Sequence, residues 1–435
     1  MIREVAWPCD AAAVARSLAR SSAWFWLDGA APSQRASYSY LGEARTVHSA
    51  VVGNERAFLQ QLRDLNDADL VPVFSYEYGV ALLDETSAGD SVAPAFAIEP
   101  EVTLVLDHDA ERAWLRAATE HACDEWLERH GEALSAADAG ADRPASSGSA
   151  PDDAWRTSGA EYLQQIADCQ QAIADGDAYV LCLTDTAEVP ISAPQPLETY
   201  LRLRGSAPEL RGAVIVTAGR ALMSGSPEQF LSLRGRQLFS HPMKGTRPRD
   251  PDPTRDAALA QELATSAKER AENLMIVDLV RNDLSRVCEP GSVRIEGFLR
   301  VEPHQRVHQL VSTVTGTLCD GLDFYDALGS CFPGGSMTGA PKLRAVQLLA
   351  ELEQRPRGLY SGCFGWVEAG AQHAELAMTI RSIELRPHPS KPSQATAFIG
   401  AGGGITADSE PEAELAEKML KAHAALTVLG LAPPK

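Results

Sequence analysis

Apolar and polar positions alternate along the chain with two different periods, and the changes of period mark out the expected elements. Short apolar runs at 70–78 and from Val102 to Leu106 read as strands, and the stretch from Ala110 to His130 reads as helical. Past residue 158, a helix-period segment over Gly159–Asp175 gives way to apolar strands over Gly212–Thr217, Gln237–Phe239, Ser361–Val367, Glu375–Ile383 and Thr396–Gly400. Regular crossover helices do not separate these strands, so the pattern predicts an α+β architecture with large antiparallel or mixed sheets, not a doubly wound parallel sheet. Residues 135–157, SAADAGADRPASSGSAPDDAWRT, carry no apolar period and read as a flexible linker or surface loop. That stretch divides an N-terminal part, 1–134, from a longer region, 158–435. No internal repeat is visible.

Two helix patterns carry charge on one face. The apolar run ATAFIGAGGGI ends in Gly400, Gly402, Gly403 and Gly404, and a helical segment follows whose Ser409 and Glu412 have capping-box spacing. Along it, Glu414, Glu417 and Lys421 fall within an arc of roughly 60°, while Leu415, Met419, Ala422 and Leu426 occupy another sector. A solvated face with an i,i+4 Glu to Lys pair is the plain reading. A second segment, Thr254 to Asn282, puts Glu269 and Glu272 on one face and Leu263, Ala267, Ala271 and Leu274 on another. Two helices that each present an E-x-x-E pair can converge on a hard divalent cation. Oxygen donors suit Mg²⁺, whereas no His/Cys set suits Zn²⁺. The glycines let backbone N–H groups approach an anion, but G-x-G-x-x-G spacing fails and too little chain follows Gly404 to complete a dinucleotide-binding βαβ unit.

Composition narrows the partners. The 435 residues carry 39 basic and 59 acidic side chains, a net charge of −20 that repels nucleic acid and anionic membranes. No apolar stretch is long enough to span a bilayer and the N-terminus lacks a signal-like core, so a cytoplasmic location is expected. The eight cysteines are scattered without ligand spacing and read as reduced thiols. Only seven basic residues are lysines, the first being Lys244, so a lysine kept inside a Gly-containing motif is a candidate for chemistry that Arg cannot perform. Lys244 lies in HPMKGTRPR at an expected strand end, and Glu228 lies in a similar position in SGSPEQF. A basic surface turn is one reading of that motif; an amine nucleophile paired with a carboxyl proton donor is the other. No G-x-S-x-G supports a serine hydrolase.

Taken together, SGSPEQF, HPMKGTRPR, KERAENLMIVDLVRNDLSRV, VHQLVSTVTG, FPGGSMTGAPK, GLYSGCFGW, ELAMTIRS and GAGGGITADSEPEAELAEKMLKA resemble the chorismate-utilising family, in the same order, over roughly Glu161 to Ala424. That family includes anthranilate synthase component I, aminodeoxychorismate synthase component I, and the isochorismate and salicylate synthases. The resemblance implies an anthranilate-synthase-like composite α+β fold, with helices flanking large antiparallel sheets around a central cleft. It implies Mg²⁺ on Glu272 and Glu417, supported through waters by Glu269 and Glu414. It places Arg381, Lys421, Tyr360 and the backbone of Gly402, Gly403 and Gly404 at the carboxylates of chorismate, Thr338 and His308 at the ring pocket, and Thr246 beside the substrate.

Within the family, P-x-K-G-T at Lys244 resembles the aminodeoxychorismate synthases, whereas P-x-A-G-T marks anthranilate synthases. The resemblance then implies attack of the Lys244 amine on chorismate, with Glu228 as general acid and ammonia as the final nucleophile. Burial and nearby cations are expected to depress the amine's pKa. Isochorismate and salicylate synthases need a lysine base on the strand reading GDAYVLCLT, which has none. A G-x-C-x-G glutaminase elbow is not seen, so ammonia is expected from a separate glutamine amidotransferase subunit. Anthranilate synthase component I and a non-catalytic chorismate-binding subunit are the alternatives. The region 1–135 matches the pattern more weakly and lacks the L-L-E-S signature of feedback-inhibited members. Trp24 and Trp26 there read as core, and tryptophan binding stays open.

Overall fold

The computed structural model describes residues 1–29, 38–137, 148–149, 154–206, 211–304, 307–388 and 390–432. Among these residues nineteen strands join in one hydrogen-bonded network, and every ladder in it is antiparallel. The α+β reading holds, with antiparallel pairing throughout this sheet. Among the described residues a parallel ladder occurs only where Leu431–Ala432 meets Gly148–Ser149. Most of the stretch read as a linker lies outside the described residues. Its end does not: Trp155 bridges to Ala187 in the sheet.

The N-terminal strands are part of the same network. Trp24–Asp28 pairs with Tyr38–Ser49 on one edge and Arg211–Thr217 on the other, and Val71–Phe74 pairs with Cys363–Val367. The sequence WFWLD is buried at every position, as a strand covered on both faces requires. Trp24 and Trp26 enter one core with Leu18, Trp126 and Leu426, while Phe25 and Leu27 enter another with Val73, Ile98, Phe364 and Trp366. Both tryptophans are therefore core residues.

Three expected elements differ. The 110–130 stretch divides into a strand, Arg112–Ala117, and a helix, Glu120–Ser135, with Thr119 accepting from Ala122 N as N-cap. Asp107 accepts from the N–H groups of Asp109 and Ala110, closing a turn that starts a hairpin where a helical period had been read. The 254–282 segment is two helices, Pro253–Thr265 and Ala267–Ser285, broken at Ser266, whose hydroxyl caps the second by accepting from Glu269 N. In the second helix Glu272, Asn273, Ile276 and Val277 are buried, whereas Ala267, Ala271 and Leu274 face out; Leu274 is 52% exposed. The carboxylate face is the inward one. The C-terminal helix runs Pro411–Val428 with Glu410 as N-cap, so Ser409 and Glu412 form no capping box; the Ser409 hydroxyl instead donates to Glu414 at 2.8 Å. No helix among the described residues is long and apolar enough to cross a membrane.

Candidate active site

The strand that carries Lys244, Met243–Pro248, pairs with Val307–Thr317, and its register slips between Lys244 and Thr246. Gly245 absorbs that bulge with φ +79°, and a Cβ there would stand 2.8 Å from Leu263 and 2.9 Å from the Glu269 carboxylate. Only glycine fits both the conformation and the space. The bulge turns Lys244, Gly245 and Thr246 all toward one cavity of about 670 Å³.

The opposite wall is the glycine strand, Lys391–Ile405, paired with Val180–Ser192. A Cβ on Gly400 would stand 2.1 Å from the Tyr360 ring, so the ring packs flat on bare backbone. Thr184 N donates to Glu353 and Cys182 N to Thr338 O, so neither bonds its cross-strand partner, Gly402 or Gly404. Antiparallel alternation turns the polar groups of Gly402 and Gly404 away from this ladder and those of Gly403 into it. The Gly402 carbonyl already accepts from Lys421 Nζ at 2.8 Å.

Two helices bring the acids. Points where Cβ atoms of Gly404 and Gly403 would stand locate them: the first lies 3.5 Å from Lys244 Nζ and 3.8 Å from Glu272 Oε2, the second 3.1 Å from Glu414 Oε2 and 3.8 Å from Lys421 Nζ. Glu417 accepts from Lys421 at 2.7 Å, and Glu414 from Lys268 at 2.9 Å. Among the described residues no three acidic, His or Cys side chains are drawn together tightly enough to hold a metal ion as they stand. The four carboxylates do line one cavity, and oxygen donors alone suit a hard cation such as Mg²⁺. The C-terminal helix is pinned by Lys418, which is buried, pairs with Asp185 at 2.9 Å and lies over the Trp155 and Tyr162 rings.

Glu228 and Lys244 titrate away from their ordinary ranges. Burial pushes the Glu228 carboxyl up to about 7, against the lowering effects of a Ser336 hydrogen bond and Lys244. Burial lowers the Lys244 pKa, but Glu272, Cys182, Glu228 and Glu417 together outweigh it and the amine is raised. The expected depression of the Lys244 pKa is therefore corrected: without a cation on the carboxylates, the acids hold the amine protonated. Tyr360 is buried and its hydroxyl pushed well up, so it stays a donor at neutral pH.

Lys244, Glu228, Glu269, Glu272, Glu414, Glu417, Arg381, Lys421, Tyr360, Thr246 and Gly402 to Gly404 all line the cavity. Arg381 does so from a left-handed backbone, φ +50°, a strained setting for a non-glycine residue. Two predicted residues are not on the wall. His308 turns away, buried, with Nε2 at 2.8 Å from Asp256, and strand alternation puts Gln309 on the cavity wall in its place. Thr338 is fully buried and donates to the carbonyls of Gly334 and Gly335, so it shapes the loop whose Ser336 and Met337 reach the cavity. Lys268, Gln309 and Cys182 are wall residues the sequence reading missed. Lysine scarcity was a usable signal for the first. Three of the seven lysines, Lys244, Lys268 and Lys421, line this cavity, and Lys342 and Lys418 form buried ion pairs. A second cavity, of about 570 Å³ between Tyr40, Trp366 and Arg211, holds none of the predicted site residues.

A cavity lined by carboxylates, lysines and bare glycine backbone thus sits on an antiparallel α+β frame. The chain belongs to the chorismate binding enzyme family, whose model matches residues 18–427. It is 40% identical over 341 residues to the aminodeoxychorismate synthase of Streptomyces pristinaespiralis, covering 75% of this chain and 46% of that protein. It is likewise 40% identical over 271 residues to anthranilate synthase component 1 of Streptomyces coelicolor, covering 62% of this chain and 51% of that protein. The chain thus spans about half the length of these curated relatives. Among solved structures, anthranilate synthase component I from Streptococcus pneumoniae superposes with TM-score 0.75 at 23% identity, covering 91% of this chain and 93% of that one. The menaquinone-specific isochorismate synthase of Escherichia coli gives 0.74 at 18% identity, covering 99% and 94%. These likenesses establish the fold.

Proposed function

We propose that the chain is an aminodeoxychorismate synthase component I, converting chorismate and ammonia to 4-amino-4-deoxychorismate, the precursor of p-aminobenzoate in folate synthesis. The observation that carries this reading is a primary amine, Lys244, in a cleft with a carboxyl, Glu228, that keeps its proton up to about pH 7. In this reading the deprotonated Lys244 amine bonds to C2 of chorismate, the ring double bonds shift, and the 4-hydroxyl leaves as water on a proton from Glu228. Ammonia then bonds to C4 and the C2–N bond to lysine breaks, returning the amine. Arg381, Lys421 and the open backbone of Gly402 and Gly404 suit the two carboxylates of the substrate.

Glu272 and Glu417, with Glu269 and Glu414 beside them, are the residues that would hold Mg²⁺. Bound there, the cation would neutralise the carboxylates that keep Lys244 protonated and would polarise the departing hydroxyl. Ammonia would come from a separate glutamine amidotransferase subunit, and the enzyme would work in the cytoplasm. Relatives named for aminodeoxychorismate and for anthranilate synthesis both match at 40% identity, so the product rests on Lys244. Incubating the chain with chorismate, Mg²⁺ and an ammonium salt, then separating products by chromatography, tests the reading. 4-Amino-4-deoxychorismate supports it, whereas anthranilate or isochorismate overturns it. Turnover with glutamine alone would overturn the separate amidotransferase.

A further inference from the structure

We propose that Lys268 is a built-in counter-cation of the acid cluster, holding Glu414 when no metal is present and giving it up when a divalent cation binds, so that metal affinity is set by competition with this ammonium. The inference rests on the metal reading of the site and concerns a residue to which that reading assigns no role.

Glu414 is only 3% exposed, and a carboxylate so buried needs a cationic or hydrogen-bonding partner. Its two oxygens have different surroundings. Oε1 accepts from Lys268 Nζ at 2.9 Å and from the Ser409 hydroxyl at 2.8 Å, whereas Oε2 faces the glycine strand, 3.1 Å from where a Gly403 Cβ would stand. One oxygen is satisfied by protein and the other is turned to the cavity. Lys268 stands in the first turn of the helix Ala267–Ser285, within the field of Glu414, Glu272 and Glu417 together. It therefore answers the charge of the same carboxylates that a metal would use.

Lys268 is also the lysine best able to leave. Lys421 is held twice, by Glu417 at 2.7 Å and the Gly402 carbonyl at 2.8 Å. Lys244 is enclosed among the acids. Among the described residues Lys268 pairs with Glu414 alone, and its side chain is 42% exposed, so rotation of its flexible stem carries the ammonium into water without disturbing the fold. A divalent cation on Glu272 and Glu417 would repel it, and the freed Glu414 would then add its charge to the site.

The test is calorimetric titration of Mg²⁺ into the purified chain without substrate. Lys268→Met is expected to bind Mg²⁺ at least tenfold more tightly than the wild type, with Lys268→Arg close to wild type. Unchanged or weaker binding in Lys268→Met, beside measurable wild-type binding, overturns this inference alone. No binding by either protein overturns the metal reading and this inference with it. A second measurement needs no variant: the wild type is labelled with an amine-acetylating reagent with and without Mg²⁺, and modification of Lys268 is read by peptide mass spectrometry. Mg²⁺ should raise labelling of Lys268 several-fold; unchanged or reduced labelling contradicts the release.

Discussion

Replacing Glu228 with Gln separates catalysis from stability. The carboxyl is 7% exposed and its pKa is raised to about 7 from an ordinary 4.5, chiefly by burial. A raised carboxyl favours the folded state fully below the unfolded pKa and loses that contribution as pH rises through the folded one. The charged form is therefore destabilising, by roughly 3 kcal/mol for a shift of this size, once pH exceeds about 7. Glutamine keeps the volume and carries no charge. Glu228→Gln should match the wild type near pH 4 and become more stable by up to about 3 kcal/mol at pH 8 to 9, read from urea melts across that range. Its turnover of chorismate should fall by about 10² or more, the usual worth of a general acid. A variant that keeps wild-type turnover, or whose stability gap does not widen with pH, would refute the assignment of Glu228 as a buried proton donor.

Other outcomes follow from the same geometry. In Gly404→Ala the new methyl would stand 3.3 Å from Val180, 3.5 Å from Lys244 Nζ and 3.8 Å from Glu272, so turnover should fall by about tenfold or more while the melting midpoint moves little. Breaking the buried Lys418–Asp185 pair with Lys418→Met should cost about 3–5 kcal/mol in urea melts, and adding Asp185→Leu should recover much of it. Gln309, 3% exposed on the cavity wall, should raise KM for chorismate more than it lowers kcat when changed to Leu, because the proposed chemistry gives its amide no part beyond lining the wall.

Much of the site was legible because its residues sit in contiguous motifs: Lys244 before its obligatory glycine, the two E-x-x-E helices, and the glycine strand. What failed was phase. His308 and Gln309 are both polar and both buried on a strand covered on its two faces, so hydrophobic alternation gave no sign of which one faced the ligand. That choice is made by the bulge at Gly245, a tertiary feature of the neighbouring strand. The rotation of the Ala267–Ser285 helix was misread for a related reason. Ala267, Ala271 and Leu274 look like a packing stripe, but alanine is a helix former that is equally at home in solvent, and the true inward face carries Glu272 and Asn273. The sign expected for the Lys244 shift fails because it weighs burial and neighbouring cations, whereas the closeness of Glu272, Glu228 and Glu417 to the amine is not visible in sequence.

On the proposed route one enclosed amine bonds covalently to the ring of a small dianion. Intact-protein mass spectrometry of the chain, quenched during incubation with chorismate and Mg²⁺ but without ammonia, addresses it most directly. A single adduct with the mass of chorismate less one water, mapped to Lys244 and absent from Lys244→Ala, is the predicted result. An unmodified Lys244 in a preparation that still aminates chorismate when ammonia is supplied would contradict it.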